Sequence, residues 1–212
     1  MDQHRDVFQK HYEEYLSKIG EIDLTKIQQQ LNLEIKYECL LIPLFNQISS
    51  VSKRGITDSK NRQPHYGTCV ILAQYILRFP QTPVKQNKDW VNYKDLKKAS
   101  TFNNVNILKT DCEDVLNNQF SNNLEKLDKA SSELGGWTPD LTLSYDRIFQ
   151  FDALPTLSLL LLMNDQDDTF PAECRVLFQA HAEEYLDPES IAMIGVSLAF
   201  NLKRCSELAL LA

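Results

Sequence analysis

The chain has 212 residues, of which 43% are hydrophobic and 24% are charged, a composition typical of a globular protein. Lysine and arginine number 22 against 29 acidic residues, giving a formal charge of −7, which disfavours a protein that coats the phosphates of nucleic acid. Only six glycines occur, so the sequence is neither collagen-like nor a glycine-rich disordered segment.

The N-terminal 16 residues are charged and periodic, and they lack the apolar stretch of a signal peptide. The longest apolar run, from Leu157 to Met163, is far shorter than the roughly 20 residues needed to span a bilayer. The five cysteines are odd in number, widely spaced and without a Cys-x-x-Cys pair, which favours free thiols. The sequence therefore predicts a soluble, cytoplasmic protein without a membrane partner.

Two helices and a meander are predicted in the first third of the chain. An apolar stripe with helical spacing runs through residues 3–19, and Asp23 is a candidate cap for a short second helix. Between residues 33 and 56 the apolar pattern favours two or three antiparallel strands, and Pro43 is expected to place its strand near an edge.

The middle of the chain is predicted to hold a central helix followed by a long connection. Pro64 is expected in the first turn of that helix, which is apolar on most sides and should therefore be buried. Residues 80–109 show no sustained periodicity, and we expect a connection with one ordered patch around Trp90 and Tyr93. One helix is then predicted over residues 116–134.

The C-terminal part is predicted to contain a pair of strands and two helices. Gly135 and Gly136 should end the preceding helix. The patterns of residues 143–151 and 156–163 predict antiparallel neighbours, the second buried on both faces. Helices are expected from about Pro171 to Tyr185 and again after Asp187, which is a candidate cap.

The predicted strands are grouped and do not alternate with helices. This order favours one α+β domain over residues 1–212, with an antiparallel or mixed sheet covered by amphipathic helices.

The densest polar cluster follows the most apolar strand and consists of Asn164, Asp165, Asp167, Asp168 and Glu173. Carboxylates crowded on one turn are ligands suited to Mg²⁺ or Ca²⁺. The alternative is structural: the acidic residues would cap the helix expected at Pro171 and complement its dipole, with Phe170 inserted into the core.

Other candidate contacts are Trp90, Tyr93 and Lys94, which belong to a lysine-rich stretch with a local charge of +4 over residues 84–109. Lysines interleaved with aromatic residues are the ingredients of nucleotide or single-stranded nucleic-acid contact. A solvated loop anchored by its aromatic residues is the alternative.

Two histidines are weaker candidates. His65 lies near a predicted helix start, where it could contact an anion, and His181 is either a ligand contact or a packed core residue. Glycine-rich phosphate loops and the His-Glu-x-x-His zinc motif are absent from the sequence, so no cofactor is indicated.

Four segments, at residues 89–96, 146–155, 167–178 and 185–189, resemble the bacterial and archaeal family called domain of unknown function 3786. The stretch Asp-x-Phe-Pro-Ala-Glu that begins at Asp168 is the most specific part of them. The resemblance places the family-like core at about residues 66–212, with an N-terminal helical and meander part before it. The family brings no established activity, so it implies no catalytic residue and no cofactor.

Together these features favour a non-enzymatic binding or assembly module, with a homo-oligomer as one form of assembly and the ligand unidentified. The alternative is an enzyme that binds a metal or a small anion at the acidic turn of residues 165–173. Convergence of the carboxylates on a cavity would distinguish the two.

Overall fold

The computed structural model describes residues 2–87, 89–96 and 106–208, and within them it confirms the α+β class. The α-helices of this part are Asp2–Ile19 (α1), Leu24–Leu31 (α2), Tyr66–Leu77 (α3), Asp114–Phe120 (α4), Leu124–Glu133 (α5) and Pro188–Leu208 (α6). The strands are Glu34–Lys36 (β1), Cys39–Leu44 (β2), Gln47–Ser52 (β3), Gly55–Thr57 (β4), Trp90–Asn92 (β5), Arg147–Leu154 (β6), Leu157–Asn164 (β7) and Glu173–Gln179 (β8).

The strands form two antiparallel four-stranded sheets, in the orders β1-β2-β3-β4 and β5-β8-β7-β6. Residues 33–56 thus contribute to a four-stranded meander, which is more than the two or three strands expected. The Phe45 N–H donates to the Ala153 carbonyl at 2.8 Å and joins the two sheets. Helices α3 and α6 pack on each other and contribute to the hydrophobic core.

Pro43 lies on an inner strand, so the expectation of an edge strand was wrong. The short β1 pairs with β2 only as far as Glu34 opposite Leu41. Pro43 lies beyond that point, where no β1 residue pairs with it, and the missing N–H of proline is therefore tolerated.

The predicted pairing of β6 with β7 is confirmed, with Phe149 opposite Leu161 and Phe151 opposite Leu159. β7 is an inner strand whose middle residues are buried on both faces. β6 begins at Arg147 and not at residue 143 as expected.

The single helix expected over residues 116–134 is two helices. Asn122 adopts a left-handed conformation with φ of 62°, and the Asn123 side chain caps α5 by accepting the Lys126 N–H. Such a turn interrupts a helix although the apolar spacing continues across it. Gly135 (φ 84°) follows α5 in the left-handed conformation, as predicted.

The helix expected over residues 171–185 was wrong, because this segment forms β8 and then a 3₁₀ helix at Ala180–Glu184. Cys174, Val176 and Phe178 are buried in alternation with more exposed neighbours, which is the period of a strand. β8 lies between β5 and β7 and completes the second sheet.

The predicted helix caps at Asp23 and Asp187 are confirmed, since their carboxylates accept the N–H groups of Thr25 and Ser190 at 3.0 and 2.9 Å. The central helix α3 is buried as expected, but it starts at Tyr66 with His65 as its cap. Pro64 therefore precedes the cap and does not lie in the first turn.

The ordered patch expected around Trp90 and Tyr93 consists of β5 and a 3₁₀ turn at Tyr93–Asp95. Other parts of the predicted connection, residue 88 and residues 97–105, lie outside the described residues. All five cysteines are free. Within the described ranges, no helix has both the length and the apolar character needed to cross a membrane.

Candidate ligand-binding cleft

A cleft of about 480 Å³ lies where β5 separates from β8, and we call it the β5–β8 cleft. Three stretches of chain form its walls: the end of β5 with the turn after it, the segment around a π-helical turn at Lys109–Glu113, and the first half of β8. The lining side chains include Asn92, Tyr93, Lys94, Leu108, Lys109, Glu113, Glu173, Cys174, Arg175 and Val176. π-Helical turns are rare in proteins, and those that occur often lie at functional sites.

The cleft exists because β5 is short. Its pairing with β8 ends at Asn92 opposite Leu177, and the chain then turns away. Beyond Asn92, the Glu113 side chain takes over the pairing with β8 that a longer β5 would provide. Its Oε1 accepts the Val176 N–H at 3.0 Å. One carboxylate oxygen therefore completes the hydrogen bonding of β8, and the other is directed at the Lys109 ammonium, 4.0 Å away.

Glu113 is the most buried of the acidic groups in this cleft, with 16% of its side chain exposed. Burial raises the pKa of Glu113, and the Val176 hydrogen bond and the nearby Lys109 charge only partly oppose that effect. The cleft wall thus carries a carboxyl group whose charged form is disfavoured.

Three cationic side chains line the cleft. Lys109 Nζ lies 3.0 Å from Asp114 Oδ1, and this contact raises the pKa of Lys109. Arg175 Nη2 lies 2.7 Å from Glu173 Oε1, in a pair that is about half exposed and therefore weak. Lys94 forms no ion pair with any residue that the structure describes.

Tyr93 anchors the β5 side of the cleft. Its hydroxyl donates to the Pro188 carbonyl at 2.9 Å, and its ring lies against that of Phe178 with centroids 6.2 Å apart. Burial, followed by the charges of Asp187, Glu189 and Glu183, raises the pKa of Tyr93 to about 12. Tyr93 therefore remains a neutral donor that holds the turn carrying Lys94.

The opposite wall depends on Gly195 in α6. A Cβ at this position would collide with Leu108, which directly precedes the π-helical turn, and would lie 3.4 Å from the Phe178 ring. The absence of a side chain lets α6 and the π-helical turn approach closely, as at other glycine positions where two segments meet.

The thiol of Cys174 lines the cleft but is poorly suited to nucleophilic chemistry. Burial raises its pKa far above that of an ordinary thiol. Because the thiolate is the reactive form, a buried cysteine of this kind is inert.

The structure brings together three of the sequence-predicted site residues, Tyr93, Lys94 and Glu173. They come from two separate predictions, the lysine-rich stretch and the acidic cluster. Trp90 lies at the other end of β5, opposite Gln179, and is not among the residues that line the cleft.

Two of the remaining acidic candidates, Asp165 and Asp167, accept hydrogen bonds from backbone N–H groups. Asp165 accepts the Asn122 N–H at 2.7 Å and so fixes the turn between α4 and α5. Asp167 accepts the N–H groups of Thr169 and Phe170, both at 2.7 Å. Because no helix starts at residue 171, the expected helix-capping role was wrong, although Asp167 does cap a turn.

Asp168 is exposed and forms no hydrogen bond or ion pair within the described chain. Phe170 is 68% exposed and does not enter the core, contrary to expectation. In the described parts of the chain, no three His, Cys, Asp or Glu side chains are arranged to hold a metal ion.

The two candidate histidines lie elsewhere. His65 Nδ1 accepts the Gly67 N–H at 3.3 Å, as a helix cap. His181 is buried, and its two ring nitrogens lie 2.8 Å from the carbonyl oxygens of Asn87 and Thr156. A neutral imidazole has one N–H and can donate to only one of these carbonyls, whereas a protonated ring can donate to both. The ring joins the segment before β5 to the β6–β7 turn.

Sequence reasoning missed Glu113 as a site residue. It is one carboxylate in a stretch that looks helical, and no local pattern distinguishes it from a solvated side chain. Lys109 and Arg175 were present in the basic stretch and in the family-like segment, but only the fold places them around one cleft.

The chain was compared with known proteins. Residues 23–201 match the family model described as Domain of unknown function (DUF3786), and this match includes both sheets and every residue of the β5–β8 cleft. No curated protein and no solved structure gives a significant match. The match covers most of the chain, which therefore belongs to the DUF3786 family, as the resemblance of its segments predicted.

Proposed function

We propose that this protein is a non-enzymatic binding module that holds a small ligand bearing a carboxylate or phosphate group in the β5–β8 cleft. The observation that carries the proposal is the position of Lys94. Lys94 lines a cleft of suitable volume, yet it has no carboxylate partner among the described residues. An anionic ligand would supply that partner.

The neighbouring cations support the same ligand chemistry. The Arg175–Glu173 pair is about half exposed, and an arginine in such a pair can exchange its partner for a ligand carboxylate or phosphate at little cost. Lys109 adds a second positive charge on the opposite wall. Apolar contacts from Leu108 and Val176 would then cover the uncharged part of the ligand.

A binding role fits the chemistry of the cleft better than catalysis. The Cys174 thiol is protonated because of its burial, and one oxygen of Glu113 is engaged by the β8 backbone. The cleft thus offers recognition groups without an activated nucleophile. The net charge of −7 supports a small ligand over nucleic acid.

We also propose that the protein is located in the cytoplasm and can assemble into a homo-oligomer. Five free cysteines, four of them buried, suit a reducing cytoplasm. Assembly into a homo-oligomer is compatible with a binding module, and sedimentation equilibrium would test it directly.

The binding role is tested by the melting temperature of the protein in inorganic phosphate, citrate and malonate, each against sodium chloride of equal ionic strength. A ligand that binds only the folded state raises the melting temperature. We expect at least one anion to do so, and Lys94→Ala to reduce its affinity about tenfold, corresponding to about 1.4 kcal/mol.

Lys129→Ala is the matched control, since Lys129 is an exposed lysine on α5 outside the cleft. The control should respond to the anion like the wild type. The absence of any anion-specific shift, or an equal loss in both variants, would contradict the proposal.

A further inference from the structure

A second cleft of about 530 Å³ lies between α1, α3 and the start of α6, and we call it the helix cleft. It has no lining residue in common with the β5–β8 cleft. Its walls carry the rings of Tyr15 and Tyr66 and the carboxylates of Asp187 and Glu189. Among the described residues that line it, none is a lysine or an arginine, whereas the β5–β8 cleft is lined by three such cations.

The aromatic wall is held in place by its neighbours. Phe8 meets Tyr66 edge to face, with ring centroids 4.5 Å apart and planes at 87°. The Tyr15 hydroxyl accepts a hydrogen bond from Gln74 Nε2 at 3.4 Å. Tyr66 nevertheless remains 42% exposed, so part of its surface is available to a ligand.

The carboxylates of Asp187 and Glu189 differ in their partners among the described residues. Asp187 caps α6 through Ser190 and also lies 3.4 Å from Arg78 Nε. Glu189 is exposed and forms no hydrogen bond or ion pair with any residue in the described ranges. Tyr66 and Glu189 line the same cleft. Burial, followed by the nearby Tyr15 and Glu189, raises the pKa of Tyr66.

Arg78 offers no free positive charge to the helix cleft. Arg78 is engaged by Asp187, and His11 Nδ1 lies 3.6 Å from Glu14 Oε2. The first amides of α6 are satisfied in part by the Asp187 cap. An anionic ligand would therefore meet the uncompensated charge of Glu189, which repels it.

We propose that the helix cleft binds an organic ammonium ion. The cationic group would lie against the tyrosine rings, whose π-electron faces attract cations, and Glu189 would balance its charge. A bare metal ion is a poorer occupant, because the described residues offer no group of three His, Cys, Asp or Glu ligands here or elsewhere.

Calorimetric titration with choline tests this inference. The matched control ligand is the uncharged analogue of choline, in which a carbon atom replaces the nitrogen. We expect choline to bind in the millimolar range or tighter and the uncharged analogue to bind more weakly. Tyr66→Phe should keep the affinity, because the aromatic ring remains. Tyr66→Leu and Glu189→Gln should each reduce it about two- to fivefold.

Glu125→Gln on α5 removes an exposed carboxylate outside the helix cleft and is the control, with wild-type affinity expected. The inference is overturned if choline does not bind, if the uncharged analogue binds as tightly, or if neither Tyr66→Leu nor Glu189→Gln weakens binding. Failure here leaves the anion proposal intact, since the two clefts share no lining residue.

Discussion

Glu113 gives the sharpest test of how the β5–β8 cleft is built. Its Oε1 accepts the Val176 N–H at 3.0 Å where β5 no longer pairs with β8. Replacing Glu113 with alanine removes the acceptor and leaves the Val176 N–H without its side-chain partner. An unsatisfied buried N–H costs about 1–3 kcal/mol of unfolding free energy.

Glu113→Gln separates the hydrogen bond from the charge, because the glutamine carbonyl can still accept the same N–H. Burial raises the pKa of Glu113 in the folded protein, so the folded state holds this proton to higher pH than the unfolded state. The contribution of Glu113 to stability is therefore full below its ordinary pKa of about 4.3 and is lost as pH rises through the raised value. At neutral pH, Glu113→Gln should be at least as stable as the wild type.

Urea unfolding of the wild type and both variants, from about pH 4 to about pH 7, measures these effects. The wild type should lose stability relative to Glu113→Gln as the pH rises, and Glu113→Ala should be the least stable at neutral pH. Equal destabilisation by the two substitutions at neutral pH would refute the hydrogen-bond role. A stability difference between wild type and Glu113→Gln that does not change with pH would refute the burial argument.

Four further substitutions test the fold and the cleft by urea unfolding. Gly195→Ala should cost up to about 2 kcal/mol, because the collision of the new methyl group with Leu108, costing about 1–3 kcal/mol, is offset by about 1 kcal/mol when a glycine within a helix becomes alanine. A variant more stable than the wild type would contradict the close approach of α6. Leu161→Ala should cost about 2–5 kcal/mol because this residue is fully buried on β7; a loss below that range would show that the site is not packed as described. Phe170→Ala should change stability by no more than about 0.5 kcal/mol, since the ring is 68% exposed, whereas the buried Phe120→Ala should cost about 3–5 kcal/mol. Similar losses for the two phenylalanines would place Phe170 in the core after all.

The features that the sequence predicts correctly are those with a local physical signal. The β6–β7 pair follows from an apolar pattern interrupted at Pro155, and the caps at Asp23 and Asp187 follow from a short acidic side chain before an apolar stripe. β8 was missed because Pro171 looks like a helix start. The strand period in Cys174–Phe178 is short, and its strand character depends on the partners β5 and β7, which are distant in the chain.

The candidate site could be predicted only in pieces. Tyr93 and Lys94 stood out by composition, and Glu173 by its place in an acidic cluster. These residues lie close together because β5 pairs with β8. No local sequence pattern predicts that pairing. Glu113 acts through a backbone N–H of a strand far along the chain, so its role becomes visible only in the folded structure.

The proposed function requires an anionic ligand to bind at the β5–β8 cleft, next to Lys94. The most direct measurement is a titration of isotope-labelled protein with citrate and phosphate, followed by backbone amide chemical shifts in NMR spectra. Saturable shifts should concentrate at Asn92, Lys94, Lys109, Arg175 and Val176, and Lys94→Ala should weaken them. Shifts that do not saturate, or that centre on residues outside this cleft, would contradict the claim.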